Sequence, residues 1–337
     1  MIYDCFSFFT ELDILEIRLN TLNEVVDKFV LVEAPWTHRT GKAKPLYFAE
    51  NKNRFAPFLH KIIHVIVSAN DLPSIKPGTT EIEMGWIREN IQRNCITKGL
   101  TDAKPNDILI IADLDEIPYP DIVKVVAQKP IGISNIVIRN FSYFLNYANS
   151  STPYHYSGPQ ILTYATFLNP KTYDNTPLAL EHPTCANPIP SATLIRFSPY
   201  KHHIKGGWHF SSQGGYEGIK RKLNSVVEGY MVSHKYQENA YAIQQCVKKG
   251  KSIDAHPVNL CPEPIEHNFP RFIIENKERF AAQLLPATEK SWRAGRLTRL
   301  RHRIQKIIYD TMIRILICVI PKTLHPIFRL IRRKIGM

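Results

Sequence analysis

Several features that would place the chain in a particular protein class are missing. No uncharged apolar run reaches the roughly 18 residues that a membrane-spanning helix needs. The six cysteines form no CxxC pair and no Cys/His group with zinc-ligand spacing, which argues against a zinc finger and favours reduced thiols in a cytoplasmic setting. No P-loop and no GxGxxG fingerprint occurs, so these two glycine-rich phosphate loops are excluded.

Excess positive charge is absent from most of the chain. The net charge is +13, but residues 292–337 hold twelve Lys or Arg and one acid, whereas residues 1–291 hold 31 basic and 29 acidic residues. A body so close to neutrality does not predict nucleic-acid binding. The N-terminus carries Asp4, Glu11 and Asp13 instead of a basic stretch, so no secretory signal peptide is expected there.

The basic C-terminal segment has an amphipathic pattern. The apolar residues of one helical face are Leu297, Leu300, Ile304, Ile307 and Ile308, and arginines and lysines surround them. The basic side chains of such a helix suit anionic lipid headgroups. Residues 291–337 are therefore predicted to form a tail, and residues 292–337 are predicted to bind an anionic membrane surface. The expected location is cytoplasmic, peripheral at the inner face of the membrane. The alternative is a helix packed on the body of the protein or on another subunit.

The rest of the chain predicts an α/β sandwich. Continuous apolar runs at 29–34, 61–67 and 107–113 are typical of strands buried on both faces of a sheet. Helical patterns lie between them at about 12–27 and 83–99, and this alternation predicts a mainly parallel central sheet.

The second half of the chain has a different residue pattern. Strands are predicted at 134–138 and 191–197, and the residues between them are rich in Tyr, Asn, Pro and Ser. A helical stretch follows at about 216–249. Short strands joined by long loops are typical of a surface that binds an acceptor.

Asp113 and Asp115 stand two residues apart at the end of the third apolar run. In an extended chain, residues i and i+2 point to the same side, and ligands of open α/β sheets bind outside the carboxyl ends of strands. Carboxylates and phosphate oxygens both bind Mg²⁺ or Mn²⁺. The loop 113–116 therefore predicts a site for a metal and a diphosphate, although a polar turn before a helix at Asp121 explains the pattern equally well.

The helix before this strand, at 83–98, carries two kinds of residue. Its predicted buried stripe is Met84, Ile87, Ile91 and Cys95. Its other faces carry Arg88, Glu89, Gln92 and Arg93 at i,i+4 spacing. These polar residues suit either a solvated face with a weak ion pair or a helix that binds the phosphate or base of a donor.

Five motifs occur in order over about residues 2–235. They are Tyr3-Asp4-Cys5-Phe6-Ser7-Phe8-Phe9-Thr10-Glu11-Leu12-Asp13, Glu33 with Thr37-His38, Trp86-x-Arg88-Glu89-x-x-Gln92-Arg93, Asp113-Leu114-Asp115-Glu116, and Gly207-Trp208-His209-Phe210-Ser211. Together they resemble glycosyltransferase family 17, the family of transferases that add the bisecting N-acetylglucosamine. Five motifs in order are much more specific than any one of them.

The resemblance implies a GT-A-like catalytic domain over 1–290, with a donor half at about 1–130 and an acceptor half at about 131–290. It implies an inverting transfer from UDP-GlcNAc with Mn²⁺ or Mg²⁺. The metal residues that it implies are Asp113, Asp115 and His209; for His209, a histidine in a Gly-rich turn is the alternative. The donor-binding residues that it implies are Glu33, Arg88, Glu89, Gln92, Arg93 and Asp113.

An inverting transfer needs a general base for the acceptor hydroxyl. We expect Glu217 in this role, with Glu181 and Glu116 as rivals, although Glu217 also suits the first turn of a helix. The expected acceptor is a glycan or a lipid-linked saccharide, because vertebrate-type members of the family have a lumenal setting with an N-terminal anchor that is not expected here.

Two other classes compete with this prediction. A metal-dependent nucleotidyltransferase or phosphohydrolase would also cluster acids at a strand end, but usually with more acids or a glycine-rich phosphate loop. A membrane-docked carbohydrate-binding protein would stack sugars on Tyr143, Tyr147, Tyr154 and Trp208 and would need no Asp-x-Asp pair.

Overall fold

The computed structural model describes residues 1–150, 154–155, 157–170, 192–197, 202–227, 229, 236, 239–253 and 258–287. Met1–Ala287 fall in one compact unit. No helix within the described ranges is long and apolar enough to cross a bilayer. The predicted tail at 291–337 and the rival base Glu181 lie outside the described residues.

One mixed sheet organises the described part of the chain. Its strands are β1 (Ile2–Phe8), β2 (Lys28–Glu33), β3 (Ile62–Ile66), β4 (Ile108–Asp113), β5 (Glu116–Pro118), β6 (Ser134–Ser142), β7 (Tyr147–Asn149), β8 (Tyr154–His155), β9 (Gln160–Thr163), β10 (His202–Ser211) and β11 (Leu260–Pro262). The spatial order is β11-β7-β6-β9-β4-β1-β2-β3, and β10 pairs with both β5 and β6, while β8 pairs with β6.

The N-terminal half of the sheet is parallel. Strand β1 lies between β2 and β4, and β3 continues the parallel ladder beyond β2. The apolar side chains of β1, β2 and β4 are almost entirely buried, as the continuous apolar runs predicted. On the other side of β4, strand β9 is antiparallel, and β6 pairs parallel with β10. The α/β class is confirmed, and the GT-A-like assignment stays a prediction.

Nine helices, within the described ranges, accompany the sheet. They are α1 (Leu12–Leu22), α2 (Tyr47–Glu50), α3 (Glu81–Asn94), α4 (Pro120–Gln128), α5 (Tyr164–Leu168), α6 (Ala192–Phe197), α7 (Gly215–Ser225), α8 (Ala240–Lys248) and α9 (Arg271–Glu275). Segments of 3₁₀ helix lie at Lys52–Phe58, Ala69–Asp71, Cys95–Gly99 and Ala281–Gln283. Helix α3 begins in a capping box, in which Thr80 and Glu83 each satisfy the other's backbone N–H.

The strand predicted at 191–197 is wrong, because Ala192–Phe197 is helix α6. This short apolar run has no periodicity that separates a strand from a buried helical turn. Tertiary contacts decide the matter: α6 packs on α3, and the Thr193 backbone N–H donates to Asn94 Oδ1 at 3.0 Å.

The predicted buried stripe of α3 is also wrong in part. Met84, Ile87 and Ile91 are only half-buried, whereas Gln92 and Arg93 are buried. Gln92 is buried because its side-chain amide donates to the carbonyl oxygens of Phe8 at 2.9 Å and Val32 at 2.8 Å. The polar face of α3 therefore lies against the carboxyl ends of β1 and β2, where the backbone carbonyls of Phe8 and Val32 accept these bonds.

A glycine allows β10 to approach β5 closely. A Cβ on Gly207 would lie 2.6 Å from the carbonyl oxygen of Ile117 and 2.5 Å from Ile138 Cγ2. The antiparallel ladder between the two strands places His209 opposite Glu116. The close approach thus brings the second half of the chain to the acidic loop.

The side chain of Arg18, on α1, is completely buried and organises that loop. Its guanidinium forms two hydrogen bonds to the carboxylate of Asp4, at 2.8 and 2.6 Å. Its Nη1 donates to three backbone carbonyls, those of Asp113 at 3.1 Å, Leu114 at 3.0 Å and Glu116 at 2.7 Å. One cation thereby fixes the backbone of the loop 113–116 against β1 and α1.

Asp4→Asn should lower the free energy of unfolding by about 3–5 kcal/mol, since it leaves the Arg18 charge buried without its counter-ion. Urea unfolding followed by circular dichroism measures this change. Glu275→Gln is the matched control, because it removes a carboxylate from an exposed i,i+4 pair with Arg271 and should not move the midpoint. Equal midpoints for both variants would contradict the role of the buried pair.

Candidate active site

A cavity of about 440 Å³ lies at the carboxyl edge of β1 and β4. Its walls include Phe8 at the end of β1, Asp113 and Asp115 after β4, Arg93 on α3 and His209 on β10. The two predicted aspartates therefore line one cavity, although Leu114 and Asp115 form a turn and do not continue the strand. Parallel strands that end at one edge produce such a crevice.

Asp113 is held by two guanidinium groups. Arg93 Nη2 lies 3.2 Å from its Oδ1, and Arg196 Nη2 lies 3.1 Å from its Oδ2. Burial alone would raise the pKa of Asp113, but the charges of Arg196 and Arg93 lower it to about 2. Asp113 is therefore ionised at neutral pH, and both of its oxygens have cationic partners.

Arg196 also binds Glu116. Its Nη1 lies 2.6 Å from Glu116 Oε2, and its Nη2 lies 2.5 Å from Glu116 Oε1. A further bond from Nη1 reaches the carbonyl oxygen of Gly158 at 3.0 Å. The bidentate geometry fixes Glu116 as a structural anion, since its carboxylate is almost fully buried.

Asp115 has a different pair of partners. Lys222 Nζ, on α7, and His209 Nε2 lie 3.3 and 3.4 Å from its Oδ2. Burial opposes the charged form of Asp115, but Lys222 and His209 lower its pKa far below the usual range. Burial lowers the pKa of His209, and the neighbouring carboxylate of Asp115 more than reverses this, so the net shift is upward.

Several buried polar atoms of these residues have no hydrogen-bond partner within the described part of the chain. They are Arg93 Nε and Nη1, His155 Nδ1 and His209 Nδ1. His155 lies beside His209, with ring centroids 5.0 Å apart, and burial lowers its pKa. Buried polar atoms without hydrogen-bond partners are uncommon in folded proteins, so their concentration around one cavity indicates a site for a polar or anionic ligand.

The other predicted donor-binding residues lie in different surroundings. Glu89 lines the cavity and pairs with Arg93 at 3.0 Å. Gln92 lines it too, but its Nε2 donates to backbone carbonyls, and its Oε1 lies 2.7 Å from His38 Nε2. Arg88 donates to the His38 carbonyl oxygen at 2.9 Å and does not line the cavity.

Glu33 is also outside the cavity lining. Its carboxylate is fully buried and accepts from the Phe48 backbone N–H at 3.2 Å. His64 Nε2 lies 3.1 Å from the same carboxylate, and Lys44 Nζ lies 3.6 Å from it. Glu33 thus ties β2 to β3 and α2.

The predicted bases are poorly placed for proton transfer. Glu217 is exposed in the first turn of α7 and does not line the cavity. Glu116 lines it, but both of its carboxylate oxygens bind Arg196. Neither side chain combines access to the cavity with a free carboxylate oxygen.

The side chains of this site can hold a divalent metal only if a bound substrate supplies further oxygen ligands. Within the described residues no group of three or more His, Cys, Asp or Glu is arranged to hold a metal ion. Asp115 and His209 nevertheless form a carboxylate–imidazole pair at the cavity wall, whereas Asp113 has both oxygens bound to arginines. One carboxylate with substrate phosphates is a common way to hold Mg²⁺, and imidazole is compatible with transition metals.

Arg196 and His155 were missed by sequence reasoning. Arg196 follows a short apolar run that looks like a strand, and 80 residues separate it from Glu116. His155 lies in a loop-rich segment with no periodic pattern. Lys222 lies 107 residues from Asp115 in the chain, and no local pattern in the sequence shows that the two side chains meet.

The site is thus a crevice lined by buried acidic and cationic side chains at the edge of an α/β sheet, and part of the chain is similar to known proteins. The model of glycosyltransferase family 17 matches residues 1–164, which include β1 to β4 and the acidic loop. This match confirms the resemblance carried by the motifs within that segment. Arg196, His209 and Lys222 lie beyond it.

The curated relatives are N-acetylglucosaminyltransferases. The human β-1,4-mannosyl-glycoprotein 4-β-N-acetylglucosaminyltransferase is 26% identical over 293 residues, which cover 80% of this chain and 52% of the human protein. The rat protein of the same name is 34% identical over 117 residues, or 33% of this chain and 20% of the relative. This chain therefore spans about half the length of the human relative.

Asp115→Asn should lower the pKa of His209 to below the ordinary histidine value in the metal-free protein. Asp115 is the main group that raises this pKa, and burial dominates once the carboxylate charge is removed. Titration of the imidazole signals by NMR measures the shift. A His209 curve that is identical in the two proteins would show that the ion pair does not form.

Proposed function

We propose that this chain transfers N-acetylglucosamine from UDP-GlcNAc to a hydroxyl of a saccharide acceptor. The observation that carries the proposal is the buried guanidinium of Arg93, which bonds Glu89 and Asp113 and leaves Nε and Nη1 without acceptors in the described residues. A nucleoside diphosphate supplies the oxygens that such a cation requires. The family match and the names of the relatives support the choice of a sugar nucleotide.

The position of the cavity supports the same donor. Its walls come from the ends of β1 and β4, where ligands of α/β sheets bind. The volume of about 440 Å³ is within the usual range of small-molecule sites. Arg93 and Lys222 both line it, so two cations can face the departing diphosphate.

Asp115 and His209 are the residues that would hold a divalent cation, Mn²⁺ or Mg²⁺. The cation would neutralise charge on the leaving diphosphate. Asp113 contributes by orienting Arg93 and Arg196, since its oxygens already bind them. Lys222, which pairs with Asp115 at 3.3 Å, would turn to the phosphates when that carboxylate gains another partner.

The transfer that we propose inverts the anomeric carbon. The acceptor oxygen attacks that carbon as the bond to the diphosphate breaks, and a base removes the hydroxyl proton. The acceptor of the human relative, as its name states, is a mannosyl glycoprotein. A β-mannoside is therefore the first acceptor to try, followed by other glycans and lipid-linked saccharides.

A screen for UDP release tests this proposal. UDP-GlcNAc is incubated with a panel of sugar acceptors, with and without Mn²⁺, and wild type should release UDP only when the metal is present. Asp115→Ala should reduce the rate by at least about 10²-fold, because it removes the carboxylate expected to hold the cation.

Asp121→Ala is the matched control, since this exposed carboxylate starts α4 away from the cavity lining. It should retain the wild-type rate. UDP-GlcNAc binding without UDP release, with any acceptor, would favour the carbohydrate-binding alternative. Equal activity of wild type and Asp115→Ala would overturn the role of Asp115.

We further propose that the basic segment 292–337 brings the enzyme to an anionic membrane. The full chain should sediment with vesicles that contain phosphatidylserine and not with vesicles of phosphatidylcholine alone, and salt should weaken the binding. Replacing Arg299, Arg301 and Arg303 by Glu should abolish sedimentation. The same change at the exposed Lys124, Lys248 and Lys249 is the control and should leave it intact. Binding that survives the arginine changes would disprove this role.

A further inference from the structure

A second cavity, of about 250 Å³, adjoins the first. The two share four lining residues, Phe9, Glu11, Ser212 and Lys222. The remaining walls of the second cavity come mainly from the start of α1, from the turn before α7 and from Arg54, Arg221 and Gln283. Amide, guanidinium and carboxylate groups share this lining with the apolar Phe9, Leu12 and Ile14, a mixture that suits the hydroxyl groups and the ring face of a sugar.

Glu11 differs from the other acids of the first cavity. Glu89, Asp113, Asp115 and Glu116 each have a cationic partner. Glu11 forms no close ion pair among the described residues, although the Lys44 ammonium is near enough to interact with it electrostatically. Its Oε2 accepts a hydrogen bond from the Thr10 backbone N–H at 2.9 Å. Its carboxylate therefore keeps acceptor capacity at the wall that the two cavities share.

The second cavity also contains a buried acceptor that lacks a donor. Gln213 is 8% exposed, its Nε2 donates to the Ser211 carbonyl oxygen at 3.2 Å, and its Oε1 has no partner in the described part of the chain. The preceding residue, Ser212, has a φ of 55°, which a residue with a side chain rarely adopts. A saccharide hydroxyl would supply the missing donor to Gln213.

We propose that the second cavity binds the acceptor saccharide and that Glu11 is the general base of the transfer. The inference rests on the proposed function, because the donor must lie in the first cavity. The acceptor hydroxyl passes its proton to the Glu11 carboxylate, and its oxygen forms a bond to the anomeric carbon. The bond from that carbon to the diphosphate breaks, and its electron pair leaves with UDP.

The geometry of the two cavities explains why this acid serves as the base. A base must reach the acceptor hydroxyl at the moment when that hydroxyl faces the donor sugar. Glu11 lines the boundary between the two spaces, whereas Asp13, the other acid of the second cavity, pairs with Arg54 and Gln283. Lys222 lines the same boundary, where it can face the leaving group.

Glu11→Gln tests the catalytic role, with the acceptor that gives the fastest UDP release in the screen, or with water if no sugar does so. The turnover rate should fall by about 10²–10⁴-fold, the usual contribution of a general base, and the dissociation constant for UDP should be unchanged. Glu11→Asp, which withdraws the carboxylate by one methylene, should recover part of the rate. Glu217→Gln is the control and should behave as wild type, because Glu217 is exposed outside both cavities.

Gln213→Leu tests the acceptor subsite. It should raise the KM for a sugar acceptor by up to about tenfold through the loss of one hydrogen bond, with little change in kcat or in the affinity for UDP. Where water is the only acceptor, a mannoside should slow hydrolysis in wild type and slow it less in Gln213→Leu.

Three results separate this inference from the proposed function. Wild type that neither binds nor cleaves UDP-GlcNAc would overturn the proposed function and the inference with it. Normal turnover of Glu11→Gln by an active enzyme would overturn the base alone. An unchanged acceptor KM in Gln213→Leu, or unchanged inhibition by the mannoside, would overturn the subsite alone.

Discussion

The buried pair between Arg18 and Asp4 is the interaction on which the site depends. A guanidinium without access to water needs hydrogen-bond acceptors, and all three nitrogens of Arg18 find them in one carboxylate and three carbonyls of the loop 113–116. The backbone carbonyls of the loop are therefore bound to Arg18, whereas its acidic residues line the cavity. Asp4 lies on β1, which pairs with β2 on one side and β4 on the other. The ion pair therefore fixes the loop to the buried parallel part of the sheet.

Strand pairing positions the part of the site that comes from the second half of the chain. Strand β10 pairs with β5, the short strand that follows the acidic loop, and this ladder sets His209 against Glu116. Arg196 then joins Glu116 to Asp113 across the same crevice. The acids of the loop are therefore paired with cations from other parts of the chain, and this pairing offsets the repulsion between three neighbouring carboxylates.

The sequence predicts the parts of this arrangement that local patterns control. Strands β2, β3 and β4 follow from continuous apolar runs, and the place of Asp113 and Asp115 follows from the strand that precedes them. Contacts between distant residues are not predictable in this way. Gln92 has the side chain of a ligand-binding residue, but its amide nitrogen donates to the carbonyls of Phe8 and Val32. Arg196 contacts Glu116 from α6, a helix that packs on α3.

The pairing of Asp115 with Lys222 and His209 has a consequence for how the fold tolerates chelation. A site built only from carboxylates repels itself when its cation is removed, and part of the fold can loosen with it. Here Lys222 and His209 already lie 3.3 and 3.4 Å from Asp115, so removal of the cation that we propose would leave this carboxylate with cationic partners. A chelator would then remove only the stabilisation that cation binding adds to the folded protein, while the ion pairs of the crevice stay in place.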